Sequence, residues 1–290
     1  MAERNAKLIL MVGVLGVSAS AILVRFSQAP SGVTAAYRLG WTVLLLLPVV
    51  LLRCRAELRR VTARDLVLCG ASGVLLALHF LTWFESLKRT SVASSTVLVS
   101  TEVIFTALGF ALFLHGKIPR LGVWAILLAF GGSALLALSG GGGAGELSGN
   151  LLALAAASAA AVYTLIGRVQ RGHLSTTVYT FLTYLACFLT LLLGTAAAGT
   201  PLTGYGGREW LIGLALAVLC TLLGHSLFSW CLKYLSPSYV SAAKLCEPVF
   251  SSLAAIPLFG EVPGPLQLAG GAAVLGAVLL YTWAEREKTP

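Results

Sequence analysis

Long apolar stretches, separated by short polar breaks, run from one end of the chain to the other. A membrane-spanning α-helix needs about 20 mostly apolar residues. Ten stretches approach or exceed that length, so the sequence predicts an all-α integral membrane protein with ten transmembrane helices. The predicted spans cover residues 8–24, 33–52, 66–86, 91–114, 121–139, 149–167, 174–197, 209–231, 237–259 and 264–283.

The composition excludes a water-soluble fold. Of the 290 residues, 58% are hydrophobic and only 11% are charged, which is too little polar surface to cover a globular protein. The net charge of +9 fits the cytoplasmic loops of a membrane protein, where Lys and Arg accumulate. We therefore expect a membrane-lipid environment and no nucleic-acid partner.

The distribution of Lys and Arg predicts the orientation. With the N-terminus inside, cytoplasmic segments hold 14 of the 20 basic residues and outer loops hold 4. This bias places both termini in the cytoplasm and the protein in the inner (plasma) membrane. The connection "RCRAELRRVTARD" at 53–65 contributes most to the bias, and its expected contacts are with the lipid surface.

The two halves of the chain resemble each other. A glycine-rich run, "SGGGGAG", lies at the midpoint and reads as a linker. The matched residues are His79 with His225, Glu102 with Glu247, and Pro119 with Pro263. Each half has five spans, an odd number, so the second half must be inverted in the membrane. The predicted divisions are a first five-helix repeat at 1–139, a linker at 140–148 and a second five-helix repeat at 149–290.

Charged residues inside the ninth span are the leading candidates for function. Lys244 and Glu247 are three residues apart and so share a helix face, which predicts a pair. Pro248 predicts a hinge, because proline cannot donate the helical hydrogen bond. The pair is either a local clasp within the helix or a water-accessible substrate site, which would also make Glu247 a proton-coupling group. Glu102 has no cation within one turn of its own helix, and so we expect it to bind a proton.

Four further residues are candidate substrate ligands. His79 and Trp83 are four apart on the third span, either lining a cavity or serving as a packed histidine and an interfacial anchor. Arg38, near the outer end of the second span, either snorkels to the interface or faces inward to attract an anion. His225 is the counterpart of His79 in the second half.

The second half also resembles a known family. The stretch "KLCEPVFSSLAAIPLFGEVPGPLQLAGGAAVLGAVLLYTW" at 244–283 is similar to the end of an EamA-type repeat of the drug/metabolite transporter superfamily. Its signature is a Glu-Pro within the ninth helix, a Gly-Glu at the end of that helix and a glycine-rich tenth helix. The weaker first copy, "ASSTVLVSTEVIFTALGFALFLHGKIPRLG" at 93–122, lacks both the proline and the Gly-Glu.

The resemblance implies a secondary transporter that exports or exchanges small metabolites, amino acids, amines or drugs by alternating access. A central cavity would lie among helices 1–4 and 6–9, with the glycine-rich helices 5 and 10 packed closely outside it. Protons are a candidate coupling ion. The alternative is an uncoupled facilitator or channel-like pore. The oligomeric state stays open.

Enzymatic function is a remote alternative. The tetrapeptide "GASG" at 70–73 matches the GxSG of rhomboid-type intramembrane serine proteases, with Ser72 as nucleophile and His225 as the required base. Such short matches arise by chance in a chain rich in glycine, alanine and serine. The six cysteines lack metal-ligand spacing, and the P-loop pattern GxxxxGK[ST] is absent. We therefore expect no catalysis, no metal and no cofactor.

Overall fold

The computed structural model describes residues 2–113, 119–139, 144–231, 234, 244 and 246–286, and these contain helices but no strands. The α-helices are α1 (Ala2–Ser18), α2 (Ser20–Phe26), α3 (Ser31–Arg53), α4 (Arg55–Leu58), α5 (Ala63–Arg89), α6 (Val92–Val99), α7 (Glu102–Phe113), α8 (Arg120–Ser139), α9 (Ala144–Gln170), α10 (Thr176–Ala197), α11 (Gly207–Ala215), α12 (Leu227–Cys231), α13 (Cys246–Phe259) and α14 (Pro265–Arg286). A π-helical segment, Leu216–Ser226, joins α11 to α12.

Several helical stretches are long and apolar enough to cross a membrane. In the described part of the chain there are seven: Leu8–Phe26, Ser31–Arg53, Ala63–Arg89, Val92–Gly109, Gly145–Gln170, Thr176–Ala197 and Gly207–Cys231. Three shorter apolar helices lie at Arg120–Leu136, Cys246–Phe259 and Pro265–Tyr281. Together with large exposed apolar side chains such as Leu52 and Leu193, these stretches make the chain a multi-pass membrane protein.

The fourth predicted span is interrupted. Instead of one helix over 91–114, α6 ends at Val99 and α7 begins at Glu102. The Ser100 and Thr101 hydroxyls donate to the carbonyls of Thr96 and Leu98, at 2.9 and 2.6 Å. Such side-chain bonds compete with the backbone ladder, so the helix breaks directly before its carboxylate.

Three helix starts follow ordinary capping chemistry. The Thr62 hydroxyl accepts from the backbone N–H of Asp65, and Asp65 accepts from the backbone N–H of Thr62, which forms a capping box for α5. Ser91 caps α6 and Ser175 caps α10 in the simpler one-way manner. The polar breaks in the sequence are therefore true helix boundaries at these points.

The helices of the two halves pack against each other. The long helix α5 packs against α9 and α10 as well as α3, around a core that includes Phe80, Phe84 and Tyr184. Helices α8 and α14 pack together through glycine. A Cβ atom built on Gly132 would lie 2.9 Å from the carbonyl oxygen of Gly270, and the reverse distance is also 2.9 Å. Close packing of the fifth and tenth spans is confirmed at this pair.

The start of α9 overlaps the predicted linker, 140–148. Helix α9 begins at Ala144, so residues 144–148 are helical, and residues 140–143 lie outside the described part of the chain. Glu146 in the first turn of α9 favours the helix, because a carboxylate there interacts with the positive end of the helix dipole.

Candidate functional site

A cavity lies where α1, α5, the α6–α7 break, the π segment, α12 and α13 meet. It comprises about 540 Å³ of space, part of which is open to the surroundings. Its lining residues are Val17, His79, Trp83, Val99, Ser100, Glu102, Val103, His225, Phe228, Lys244 and Glu247. The cavity thus brings together six of the eight residues that the sequence singles out, but not Arg38 or Pro248.

The charged pair in this cavity is not the predicted one. The Lys244 ammonium lies 3.5 Å from Oε2 of Glu102 and 5.4 Å from the centre of the Phe228 ring. Glu102 Oε1 accepts a hydrogen bond of 2.8 Å from the Thr164 hydroxyl. The predicted ion pair between Lys244 and Glu247 is wrong. The expectation that Glu102 is unpaired, drawn from the lack of a cation within one turn of its own helix, is also wrong. Sequence spacing compares only residues on one helix, whereas Glu102 reaches Lys244 from a facing one.

The Glu247 carboxylate remains available to bind a cationic group of a solute. It lines the cavity, and its side chain makes no hydrogen bond or ion pair with any residue that the structure describes. Its backbone carbonyl accepts from the Ser251 hydroxyl at 2.8 Å, which fixes the helix but leaves the carboxylate uncommitted. Pro248 is buried as the third residue of α13. The preceding residues 235–243 and 245 lie outside the described part, so its predicted hinge stays a prediction.

Aromatic rings form one wall. The His79 and Trp83 rings stack with centroids 5.8 Å apart at an angle of 24°. Trp83 is only 3% exposed, which excludes the interfacial-anchor alternative. His79 Nδ1 lies 3.0 Å from the carbonyl oxygen of Ala156, and a carbonyl can only accept, so Nδ1 carries the proton. His79 and His225 both contact Phe80, with ring centroids 5.2 and 5.8 Å away.

Arg38 is a core residue and does not reach the membrane interface. Its side chain is fully buried, and the guanidinium lies 4.2 Å from the centre of the Phe80 ring. Nε donates to the Thr221 hydroxyl at 2.8 Å and Nη1 to the Ser20 hydroxyl at 3.2 Å. The snorkelling alternative is therefore wrong, because hydroxyls on neighbouring helices hold the side chain inside. Neither Arg38 nor Phe80 lines the cavity.

A second ion pair, which sequence reasoning missed, joins segments from both halves of the chain. Arg25 pairs with Glu261 and also donates to the carbonyls of Leu87 and Thr90. Glu261 Oε2 accepts from the backbone N–H of Val92 at 2.8 Å. Four segments converge here: the ends of α2 and α5, the start of α6, and the α13–α14 connection. We call this the Glu261 end. The Gly-Glu of the second repeat was the one sequence signal for it.

More hydrogen bonds reinforce the Glu261 end. Glu209 is 4% exposed and accepts from the Ser27 hydroxyl at 2.6 Å and from the backbone N–H of Gln28 at 3.1 Å. Lys88 donates to the carbonyl of Ala29 at 2.7 Å. Because Ser27, Gln28 and Ala29 form the α2–α3 connection, that connection is held from both halves of the chain.

The opposite end is joined by different contacts. His173 Nε2 lies 2.6 Å from Oδ1 of Asp65, which also accepts from Gln170 at 3.2 Å. Glu57 Oε1 accepts from the backbone N–H of Ser175 at 2.6 Å. These bonds connect the start of α5 and the α4 turn to the α9–α10 connection.

The geometry does not support serine hydrolysis. The Ser72 hydroxyl is buried and lies 3.0 Å from the hydroxyl of Tyr179, in contact with another helix. Its proposed base, His225, lines the cavity, whereas Ser72 does not. No hydrogen bond joins the two within the described ranges, so the nucleophile–base contact that such chemistry requires is missing. Nor do the described residues include a group of three His, Cys, Asp or Glu side chains that could hold a metal ion.

Comparison with protein families gives one match that covers most of the chain. The model of the EamA-like transporter family matches residues 5–138 and again residues 147–283.

Several curated relatives are named as exporters. A pseudopaline exporter of Pseudomonas aeruginosa is 24% identical over 207 residues, which cover 71% of this chain and 72% of the relative. A probable terminal-alkyne amino-acid exporter of Streptantibioticus cattleyicolor is 28% identical over 233 residues, covering 77% and 75%. The threonine/homoserine exporter of Escherichia coli K12 is 26% identical over 167 residues, covering 58% and 56%.

The fold itself has an experimental counterpart. A solved crystal structure superposes with a TM-score of 0.66 over 99% of both chains. The sequence identity is 20%, so this likeness concerns the fold alone.

Proposed function

The chain belongs to the EamA-like transporter family, and from this membership we propose that it is a secondary exporter of small zwitterionic metabolites, amino acids above all. The two relatives named as a probable terminal-alkyne amino-acid exporter and a threonine/homoserine exporter support the solute class. The observation that carries the proposal is the cavity, because it presents an ammonium and two carboxylates within one apolar enclosure.

The proposed architecture has ten transmembrane helices in two inverted five-helix repeats. The two matched stretches of the family model support a repeat, and the seven long apolar stretches with three shorter ones support the helix count. In such transporters the site lies near the middle of the membrane between the repeats. The cavity fits that expectation, since α5 and α7 contribute from the first half and α13 from the second.

The proposed solute contacts follow from the charges. Lys244 would hold a carboxylate, and Glu247, whose side chain lacks a partner among the described residues, would hold an ammonium. Glu102 holds Lys244 while no solute is bound, so the arriving carboxylate competes with it. Trp83, His79 and the apolar residues of the wall would receive the solute's side chain. Transport sites commonly combine apolar walls with a few placed polar groups.

Proton exchange is the proposed source of energy. A carboxylate that binds an ammonium on one side of the membrane can carry a proton on the return, and Glu247 is positioned for this role. Glu102 is a second proton-coupling candidate, available once the solute has displaced it from Lys244.

The proposed orientation has both termini in the cytoplasm, with the protein in the inner membrane. The distribution of basic residues supports it, since 14 of the 20 fall on the cytoplasmic side in this arrangement. The Glu261 end then faces outward, and the contacts of Arg25 and Glu209 hold it closed. The cavity would open toward the cytoplasm, which is the loading state of an exporter. Alternation requires that the Arg25–Glu261 pair separate.

Uptake into liposomes tests the proposal. Purified protein is reconstituted and offered labelled neutral amino acids, simple amines and simple carboxylates, with and without an imposed pH gradient. We expect transport of the zwitterions and accumulation driven by the gradient. Transport that only equilibrates the solute would favour an uncoupled facilitator. Preference for amines or carboxylates over amino acids would contradict the zwitterion site.

A further inference from the structure

The connection between α3 and α5 forms an exposed basic surface. Every arginine in residues 53–65 is exposed, and none of them makes an ion pair within the described part of the chain. We call the surface formed by these residues the arginine surface: Arg53, Arg55, Arg59, Arg60 and Arg64. Exposed guanidinium groups without partners are available to an external anion.

The other side of the same connection is already covered by protein. Cys54, Leu58 and Val61 are half-buried and pack against a cluster that contains Leu174 and Tyr179. The connection is therefore amphipathic and anchored. Its apolar side cannot serve a second partner, and the arginine surface faces away from the helices.

The acidic residues of the connection are also committed elsewhere. Glu57 accepts from the backbone N–H of Ser175, and Asp65 accepts from Thr62, Gln170 and His173. Neither carboxylate pairs with an arginine among the residues that the structure describes. The positive charge of the surface is thus left uncompensated by the chain's own nearby acids.

Exposed apolar residues flank the arginines on both sides along the chain. Leu52 at the end of α3 is 84% exposed and Val67 in the first turns of α5 is 70% exposed. In a membrane protein such side chains contact hydrocarbon. The arginine surface therefore lies within one or two helical turns of the acyl chains, at the depth of the lipid headgroups.

We propose that the arginine surface binds the phosphate groups of anionic phospholipids. The planar guanidinium matches phosphate oxygens in a bidentate manner, and clusters of basic residues beside membrane helices attract anionic lipid. Binding also acts on the fold, because Glu57 and Asp65 tie the same connection to the α9–α10 connection. Anionic lipid therefore stabilises the packing of α5 on α9 and α10.

Lipid titration of the purified, full-length protein tests this inference. The protein in a neutral detergent receives either phosphatidylglycerol or phosphatidylcholine, and thermal unfolding and retained lipid are measured, the latter by native mass spectrometry. The test variant carries R55Q, R59Q and R60Q, which keeps Arg53 and Arg64 to maintain the topology. The matched control carries R89Q, R120Q and R208Q, which remove the same charge from three exposed arginines elsewhere.

We expect phosphatidylglycerol to be retained and to raise the unfolding temperature, and phosphatidylcholine to do neither. The test variant should bind phosphatidylglycerol at least about tenfold more weakly, while the control matches the unsubstituted protein. Equal retention by the test variant would overturn the proposal, as would equal stabilisation by both lipids. Glycerol 3-phosphate is the third arm, and stabilisation by it to the same extent would assign the site to a soluble phosphate and not to the membrane. None of these outcomes depends on transport.

Discussion

The Lys244 ammonium lies 3.5 Å from the Glu102 carboxylate, although 142 residues separate the two in the chain. The residues belong to the two stretches that the family model matches separately. Their ion pair therefore joins the halves of the protein inside the cavity. This relationship changes the expected roles, because Glu102 becomes the partner of Lys244 and Glu247 becomes the uncommitted carboxylate.

Removal of one partner of this pair should cost more stability than removal of both. Lys244→Met leaves Glu102 without its cation in a half-buried site, at a cost of about 1–3 kcal/mol in unfolding free energy. Lys244→Met with Glu102→Gln should recover most of that loss, as measured by thermal unfolding in detergent. The control double variant, Lys244→Met with Glu247→Gln, should recover less. Equal recovery by both double variants would show that Lys244 favours neither carboxylate.

The double variant Lys244→Met with Glu102→Gln also tests whether Lys244 binds the solute. If Lys244 holds the solute's carboxylate, the protein with Lys244→Met and Glu102→Gln should fold and still fail to transport amino acids into liposomes. Transport at the unsubstituted rate would reduce the pair to a structural clasp between Glu102 and Lys244.

Glu247→Gln should abolish the response of transport to a pH gradient. Glutamine has nearly the same shape but cannot exchange a proton, and the carboxylate has no partner among the described residues whose loss would disturb the fold. Counterflow of labelled solute without a gradient should persist at raised solute concentration, because the glutamine carbonyl can still accept from the solute's ammonium but no longer carries the charge. Glu102→Gln is the comparison. If that variant alone lost the response, Glu102 would be the coupling group.

Glu261→Gln should weaken the contacts that hold the Glu261 end together. Loss of an ion pair that is about one-fifth to one-quarter exposed, worth about 1 kcal/mol, should raise access to the cavity about fivefold. The measurement uses a protein without its native cysteines that carries one new cysteine at Val99. An impermeant maleimide is added from the Glu261 side, and the rate at which it labels this cysteine is recorded. Arg208→Gln is the control, since Arg208 is exposed and bonds only to the carbonyl of Phe26 in the described contacts. An unchanged rate in Glu261→Gln would mean that Arg25 and Glu261 do not gate the cavity.

The side of the membrane on which each connection lies should follow the distribution of basic residues. A cysteine at Thr203, exposed after α10, should react with an impermeant thiol reagent from outside intact cells. One at Arg60 should react only after the cells are permeabilised. The reverse pattern would contradict the proposed orientation. Reaction of both from one side would contradict the inverted repeat, because five spans per half require the two positions to be on opposite sides.

Gly132→Ala should destabilise the packing of α8 on α14. The added methyl group would lie 2.9 Å from the Ala273 Cβ, which forces a shift that costs about 1–3 kcal/mol. The neighbouring substitution Gly131→Ala is the matched control, because no atom outside its own helix lies within 4 Å of a Cβ built there. Thermal unfolding of the two variants should therefore differ, and equal midpoints would show that the α8–α14 contact tolerates expansion.

The sequence predicted the elements of the fold better than their interactions. Apolar length locates the helices, because it is a local property of the sequence. The partner of Lys244 and the position of Arg38 depend on which helices face each other, which helical spacing does not encode. Arg25 was missed for the same reason. It has no neighbour of opposite charge on α2, and its partner Glu261 is 236 residues away.

The contacts of Arg38 also have a consequence for biogenesis. An arginine inside a membrane helix raises the free energy of insertion, by about 2.5–3.5 kcal/mol at the centre and by less toward the outer end, where Arg38 lies. Thr221, which accepts from its Nε, is 183 residues further along the chain. At ribosomal speeds of 5–20 residues per second, that partner emerges roughly 10–40 s after Arg38. During this interval the Arg38 guanidinium of the nascent α3 lacks the Thr221 hydroxyl as a hydrogen-bond acceptor. Arg38 therefore reaches its final set of contacts only after the eighth apolar span has been inserted.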